Sequence, residues 1–219
     1  ASDVYKRQIK GDPNTVVLCA FPCTGGCLFN VGINAHNPKC KDKIEGHWKL
    51  FRKLWSNFAR LIKEVGYFAC LIEWPKSCRY WVQNCVLRAI KQLCLTLTSF
   101  DGCQYGLKSV NKGREDMPLK KPWMFATNVP ELLPLFASLC TCKQEGIVHD
   151  QTRGVNAVAS QFYTSFMVSL VHLGIARFFC SQFERTQNTA RICCMRTCDT
   201  NICLTDNIYK CNMKTVPIF

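Results

Sequence analysis

The stretch Thr15-Val-Val-Leu-Cys-Ala-Phe21 decides the fold, together with two later apolar runs at residues 67–72 and 95–100. All three runs are short and continuously apolar, which is typical of strands buried on both faces of a parallel sheet. Turn residues or helical patterns separate them. The sequence therefore predicts an alternation of strands and helices around one sheet.

Helical periodicity fills the gaps between these runs. From residue 42 to residue 65, large apolar residues that include Trp48, Phe51, Trp55 and Phe58 recur at helical spacing between lysines and arginines, and Gly66 ends the pattern. A second helix is predicted over residues 80–93, a strand over 123–127, a short helix over 130–139 and another helix over 156–174. The predicted fold class is α/β, with a Rossmann-like, doubly wound, mostly parallel sheet.

The two ends of the chain are interpreted separately from this domain. Residues 3–8 read Asp-Val-Tyr-Lys-Arg-Gln, which resembles the translation of an adapter used in sequencing libraries, so residues 1–8 are excluded from the fold interpretation. The α/β domain is predicted over residues 9–178 and is expected to be incomplete at its N-terminus. Residues 179–219 are expected to form an irregular, cysteine-rich tail that is disordered or non-native.

The composition favours an acidic partner and a reducing compartment. Lys and Arg outnumber Asp and Glu by 28 to 15, giving a net charge of +13, which is compatible with a nucleic-acid partner. The 17 cysteines cannot all pair within one chain, and no secretory signal pattern opens the sequence. We therefore expect an intracellular protein without a disulfide-linked partner; the nucleus is compatible with DNA binding. The longest apolar stretches are too short to predict a membrane span.

Candidate functional residues follow the predicted strands, because ligands of open parallel sheets bind outside the carboxyl ends of the strands. Pro22, Cys23 and Thr24 follow the first strand, and Glu73 follows the second. A longer segment runs from Asp101 through Tyr105 and Gly106 to Lys120 and Lys121, just before the strand predicted at residues 123–127.

The order and spacing of these segments resemble the cytosine-5 DNA methyltransferases, a family of class I S-adenosylmethionine-dependent enzymes. Pro22-Cys23 corresponds to the family's Pro-Cys loop and Glu73 to the glutamate of its Glu-Asn-Val motif. Tyr105-Gly106 resembles its Asp-Tyr-Gly-Val-Pro-Gln segment, and Lys120-Lys121 its basic strand. The resemblance covers about half the chain.

The resemblance implies a role for each of these residues. Cys23 would be the nucleophile that adds to a cytosine ring, and Glu73 would hold and protonate the nitrogen of the flipped-out base. Pro22, Thr24, Tyr105, Lys120 and Lys121 would bind the DNA substrate, and S-adenosylmethionine would be the cofactor. We expect nearby basic groups and loop amides to lower the pKa of Cys23, and burial to raise that of Glu73.

The sequence departs from the family in two places. Trp74-Pro75 replaces the Asn-Val that follows the family's glutamate, and no glycine-rich cofactor loop of FxGxG type precedes Pro22. The chain thus resembles a partial or degenerate methyltransferase whose cofactor-binding half would lie upstream. The alternative is a non-catalytic module that binds nucleic acid or protein, such as a relic among open reading frames of mobile elements.

A metal-dependent protein is a third interpretation. Cys140, Cys142 and His149 are residue types that bind zinc, but a fourth ligand is not evident in the sequence and the spacing is irregular. The sequence therefore assigns no metal site, and core or surface thiols are the simpler interpretation. The cysteines between residues 193 and 211 likewise lack a CxxC pair or a histidine partner at ligand spacing.

Overall fold

A computed structural model describes Lys10 and residues 15–66, 68–197 and 215–218, with only the backbone described for 185–197 and 215–218. The predicted adapter segment lies outside these residues, and so do residues 198–214 and 219 of the predicted tail. Residues 179–197, predicted as irregular tail, are instead helical. The described residues include five strands: β1 (Val16–Cys19), β2 (Ala69–Pro75), β3 (Thr96–Asp101), β4 (Pro122–Thr127) and β5 (Thr215–Ile218). The α-helices are α1 (Pro38–Val65), α2 (Asn84–Gln92), α3 (Val155–Ala159) and α4 (Ser165–Thr197).

Shorter helical turns connect these elements. They are a π-helical turn at Phe29–Ile33 and six 3₁₀ turns at Thr24–Gly26, Asn34–His36, Arg79–Val82, Gly102–Tyr105, Pro130–Leu132 and Pro134–Phe136. The helix predicted over 130–139 is therefore two 3₁₀ turns, each beginning at a proline. Proline lacks the backbone N–H that a continuing helix needs, so the chain restarts at Pro134.

The strands form one mixed sheet in the order β3-β4-β2-β1-β5. Within the four strands between Val16 and Thr127, only β1 and β2 pair in parallel; β4 pairs antiparallel with both β2 and β3. The short β5 adds a parallel pair at the outer edge of β1. The predicted doubly wound, mostly parallel Rossmann-like sheet is therefore wrong.

The connection between β3 and β4 explains this correction. A parallel neighbour requires a crossover, usually an α-helix. Residues 102–121 contain no α-helix; they form one 3₁₀ turn and two isolated bridges, Lys108 with Pro118 and Leu119 with Asp150. The chain therefore returns directly along β3. Because β4 is inserted between β2 and β3 in the opposite direction, it separates two strands that the sequence pattern predicted to be neighbours in a parallel sheet.

Helix α1 illustrates how local signals set an element. The Asn37 side chain accepts a 3.0 Å hydrogen bond from the backbone N–H of Lys39, and Pro38 occupies the first helical turn, so the helix begins four residues before the predicted residue 42. It ends at Gly66, whose φ of 82° suits glycine. The predicted apolar stripe is confirmed: its buried members are Phe51, Trp55, Phe58, Leu61 and Ile62.

Helices cover both faces of the sheet and create two cores. On one face α1 and α2 pack over β1 and β2 around Trp55 and Trp74; on the other, α4 and the 3₁₀ turns after β4 pack around Phe100, Phe125 and Phe136. The helix predicted over 156–174 is two helices, α3 and α4, separated by residues 160–164. The break between the two helices contains Tyr163, a residue of the candidate site.

Helix α4 includes one segment, Ser165–Glu184, that is long and apolar enough to cross a membrane, with a mean hydropathy of 1.4. The sequence prediction of no span rested on the shorter run that ends at Leu173. Met167, Ile175 and Phe178 are buried in the second core, and a core helix passes the same length and composition test. The segment is therefore weak support for a membrane span.

Candidate functional site at the carboxyl ends of β1 and β2

Three chain segments converge at one edge of the sheet. Because β1 and β2 are parallel neighbours, with Cys19 paired to Ile72, their carboxyl ends meet, which brings the loop at Cys23 toward Glu73. Strand β4 runs the other way and begins at this edge, since Trp123 pairs with Pro75. Lys121, just before β4, therefore joins the same site.

Glu73 lies on the face of β2 that points to the second core, like Leu71 two residues earlier. The hydroxyl of Tyr163 donates a 2.6 Å hydrogen bond to Glu73 Oε2. Burial raises the pKa of the Glu73 carboxyl, although this hydrogen bond and the charge of Lys121 act in the opposite direction. A raised pKa favours a protonated carboxyl that can donate a hydrogen bond.

Cys23 is half-buried in the loop after β1 and interacts electrostatically with Glu73 and Lys121. Burial raises the pKa of the Cys23 thiol, the negative charge of Glu73 raises it further, and Lys121 lowers it by a smaller amount. The direction is opposite to the one expected from the sequence. At neutral pH the thiol is therefore protonated, which is unfavourable for nucleophilic attack.

Lys121 is positioned by the break between α3 and α4. Its Nζ donates a hydrogen bond to the backbone carbonyl of Ser160 and lies 4.7 Å from the centroid of the Trp123 ring. Burial lowers the pKa of Lys121, while the negative charge of Glu73, and that of Cys23 when the thiol is ionised, raise it. The ammonium group thus offsets negative charge at the site.

Tyr163 is the functional residue that sequence reasoning missed. It lies between α3 and α4, and its partner Glu73 is 90 residues earlier in the chain. Burial raises the pKa of the Tyr163 hydroxyl, and the neighbouring Glu73 carboxylate raises it further, so the phenol remains a hydrogen-bond donor. No local pattern in the sequence marks such a pair.

The other predicted substrate-binding residues take different positions. Pro22 and Thr24 flank Cys23 and are exposed. Tyr105 is buried in the second core, where its hydroxyl donates a 3.0 Å hydrogen bond to the Leu135 carbonyl. Lys120 is exposed and lies 3.9 Å from the Asp101 carboxylate. The structure therefore brings Cys23, Glu73 and Lys121 together and assigns Tyr105 to the core.

The loop that carries Cys23 is packed tightly. Trp74 Nε1 donates a 2.9 Å hydrogen bond to the Phe21 carbonyl. A Cβ at Gly25 would lie 2.4 Å from the Tyr80 hydroxyl, and one at Gly26 would lie 2.9 Å from Cys78 Sγ. These two glycines thus allow the loop to approach its neighbours closely, and the space beside each glycine is already filled by protein atoms.

The described residues do not fit S-adenosylmethionine. Gly25 and Gly26 are filled by Tyr80 and Cys78 instead of forming an open cradle. A cavity lined in part by Tyr163 has a volume of about 200 Å³ and a mostly apolar lining that includes Leu18, Leu71 and Met167. Cofactor pockets typically have volumes of about 300–1,000 Å³ and several polar anchors.

The residues considered for zinc form a separate cluster. Cys140 Sγ lies 3.4 Å from His149 Nε2, and Cys142 is buried beside them. Cys103, which sequence reasoning had not connected with them, supplies a fourth potential ligand from the turn after β3. The sequence did not reveal Cys103 as the fourth potential ligand, because it lies in a distant segment of the chain, after β3.

Comparison with known protein families, curated proteins and solved structures found no match to this chain.

Proposed function

We propose that this chain is a nucleic-acid-binding domain that holds one extrahelical cytosine base against Glu73, in the manner of the cytosine-5 DNA methyltransferases that its sequence resembles. The observation that carries the proposal is the convergence of Cys23, Glu73 and Lys121 from three distant segments at one edge of the sheet. Methyl transfer is not assigned to the described residues, because they do not fit the cofactor.

Glu73 provides the base selectivity. Tyr163 occupies Oε2, so a base would be bound through Oε1. A protonated carboxyl donates a hydrogen bond, and the ring nitrogen N3 of cytosine accepts one, whereas N3 of thymine carries a hydrogen and cannot. The raised pKa of Glu73 supports this donor role.

Cys23 and Lys121 shape the rest of the base site. The Cys23 thiol is protonated and offers a compact, polarisable wall for the edge of the pyrimidine ring. Protonation of Glu73 would remove the negative charge that raises the Cys23 pKa, while burial would still raise this pKa and Lys121 would still lower it by a smaller amount.

The loop after β2 provides cationic groups for the nucleic-acid backbone. Lys76 and Arg79 are exposed and follow Glu73 directly along the chain. The backbone N–H of Lys76 donates a 3.0 Å hydrogen bond to the Pro122 carbonyl, which fixes the start of this loop beside β4 and leaves the exposed side chain facing solvent. Contacts from such cations to phosphates give binding that is independent of sequence and weakens with salt.

The test is equilibrium binding to two short DNA duplexes that differ at one base. One carries cytosine opposite an abasic site and the other carries thymine there, because an unpaired base is extruded at low cost. We expect tighter binding to the cytosine duplex by about tenfold, the equivalent of one hydrogen bond worth about 1.4 kcal/mol. Fluorescence anisotropy at fixed salt measures both affinities.

A pair of variants makes the test specific. Glu73→Ala should remove the preference for cytosine while the salt-dependent affinity for both duplexes remains. Glu115→Ala, which removes an exposed carboxylate in the loop between β3 and β4, is the matched control and should keep the preference. Equal affinities of the unsubstituted chain for the two duplexes, or a preference that survives Glu73→Ala, would overturn the proposal.

A further inference from the structure

We infer that Cys103, Cys140, Cys142 and His149 form a structural zinc site. The four potential ligand atoms all lie within 4.8 Å of one another. The site lies on loops that follow β3 and the 3₁₀ turn at Pro134–Phe136, and it shares no ligand with the base site.

The distances suit tetrahedral zinc. Zinc–sulfur bonds of about 2.3 Å and zinc–nitrogen bonds of about 2.0–2.1 Å place a sulfur and a nitrogen ligand about 3.6 Å apart at the tetrahedral angle. Cys140 Sγ and His149 Nε2 are separated by 3.4 Å, close to that value. The remaining separations, up to 4.8 Å, need only a small contraction for all four ligands to reach one ion.

The ligand types select the metal and the kind of site. Three thiolates and one imidazole favour zinc over hard cations such as magnesium or calcium, which prefer oxygen ligands. Because the protein supplies all four ligands of a tetrahedron, no position remains for a water molecule or a substrate. The site is therefore structural and not catalytic.

The backbone around the ligands is already fixed by hydrogen bonds. The Asp101 carboxylate accepts a 2.9 Å hydrogen bond from the backbone N–H of Cys140, which ties this loop to the end of β3. The backbone N–H of Ile147 donates a 2.8 Å hydrogen bond to the Cys142 carbonyl and closes a turn. Asp150, directly after His149, is anchored by 2.7 Å and 2.8 Å hydrogen bonds from Ser109 and Asn111.

The segment that carries three of the ligands buries little apolar surface. Between residues 137 and 149, Cys142 is the sole buried residue, and the apolar side chains of Leu139, Ile147 and Val148 are exposed. The segment contains no strand or α-helix. A metal that joins it to Cys103 would supply the cross-link that a hydrophobic core does not provide here.

The test is zinc stoichiometry of the full chain purified from zinc-supplemented cells, measured by elemental mass spectrometry after dialysis. We expect one zinc per chain, and loss of that zinc in Cys103→Ser and in His149→Ala. Cys94→Ser is the matched control, since Cys94 is an exposed thiol outside the cluster and should leave the stoichiometry unchanged.

Two additional measurements keep the proposal testable if a variant unfolds. His149→Cys should restore zinc binding that His149→Ala loses, because cysteine also ligates zinc. Cobalt substituted into the unaltered chain should give the intense visible absorption of a tetrahedral ion and a thiolate charge-transfer band, with the spectrum shifted in His149→Cys. A metal-free folded chain, a disulfide among Cys103, Cys140 and Cys142, or equal zinc content in Cys103→Ser and Cys94→Ser would overturn the assignment.

Discussion

The Tyr163 hydroxyl donates a 2.6 Å hydrogen bond to Glu73 Oε2, across 90 residues of sequence. This bond fixes the carboxyl at the end of β2 and links it to the break between α3 and α4. The hydrogen bond orients the Glu73 carboxyl. It also lowers the pKa of this carboxyl, which burial raises.

Tyr163→Phe should therefore destabilise the domain and raise the pKa of Glu73 further. We expect a decrease of about 1–2 kcal/mol in the free energy of unfolding, the usual cost of deleting a partly buried hydrogen bond. Urea denaturation measures it. Phe162→Ala, which truncates an adjacent side chain that is 73% exposed, is the control and should change stability little. Equal stabilities of the two variants would contradict this role of Tyr163.

The preference for cytosine should depend on pH through Glu73. Its raised pKa means that the donor form is populated below that pKa and is lost as the pH rises through it. The cytosine preference should therefore decline with rising pH. Glu73→Gln keeps a hydrogen-bond donor at every pH, so its preference should not vary. Anisotropy titrations of the unsubstituted chain and of Glu73→Gln across pH 5 to 9, about two units on either side of neutrality, measure the preference. The same pH dependence in both proteins would contradict the role of Glu73.

Salt dependence should identify the phosphate-binding cations. Lys76→Ala with Arg79→Ala should weaken binding to both duplexes equally and reduce the slope of log affinity against log salt by about 1–2, one for each phosphate that is no longer neutralised. The base preference should persist. Lys53→Ala with Lys63→Ala, on the outer face of α1, is the matched control. If the double variant changed the preference for cytosine and left the salt slope unchanged, the two cations would belong to the base site.

The loop that carries Cys23 should tolerate no side chain at Gly25. A Cβ there would lie 2.4 Å from the Tyr80 hydroxyl and 3.0 Å from His47 Cβ, so Gly25→Ala should cost about 1–3 kcal/mol of stability through overpacking. Gly46→Ala is the control: it lies in α1 with no atom within 4 Å of the added Cβ. That change should stabilise the helix by about 0.5–1 kcal/mol. Thermal and urea denaturation should show a lower free energy of unfolding for Gly25→Ala and a higher one for Gly46→Ala.

Acid stability should depend on Asp150. Hydrogen bonds from Ser109, Asn111 and the Gln151 backbone hold the pKa of this carboxyl well below its usual range. Its stabilising contribution is therefore present above the ordinary aspartate pKa of about 3.9 and is lost as the pH falls toward the folded-state value. Asp150→Asn should lower the urea midpoint at neutral pH, and the difference should narrow on acidification. A difference independent of pH would contradict this.

Local sequence signals predicted the elements but not how they assemble. The strands after Thr15, before Glu73 and after Leu95 are confirmed to within a few residues, and so is the apolar face of α1. Continuous apolar runs and helical spacing are properties of neighbouring residues, so they are visible in the chain itself. The direction of β4 was not visible in the chain, because it depends on how the segment between β3 and β4 folds. That segment contains no crossover helix, so β4 pairs antiparallel with β3.

The candidate sites divide in the same way. The sequence by itself indicated that Cys23 follows one strand and that Glu73 lies at the end of another, although Glu73 proved to lie within β2, two residues before its last residue. The parallel pairing of β1 and β2 brings these strand ends to one edge. Only the tertiary structure brought Tyr163 to Glu73 and Cys103 to Cys140, Cys142 and His149. The physical reason is that these contacts join residues tens of positions apart, and their formation depends on how two cores pack against one mixed sheet, which no local periodicity specifies.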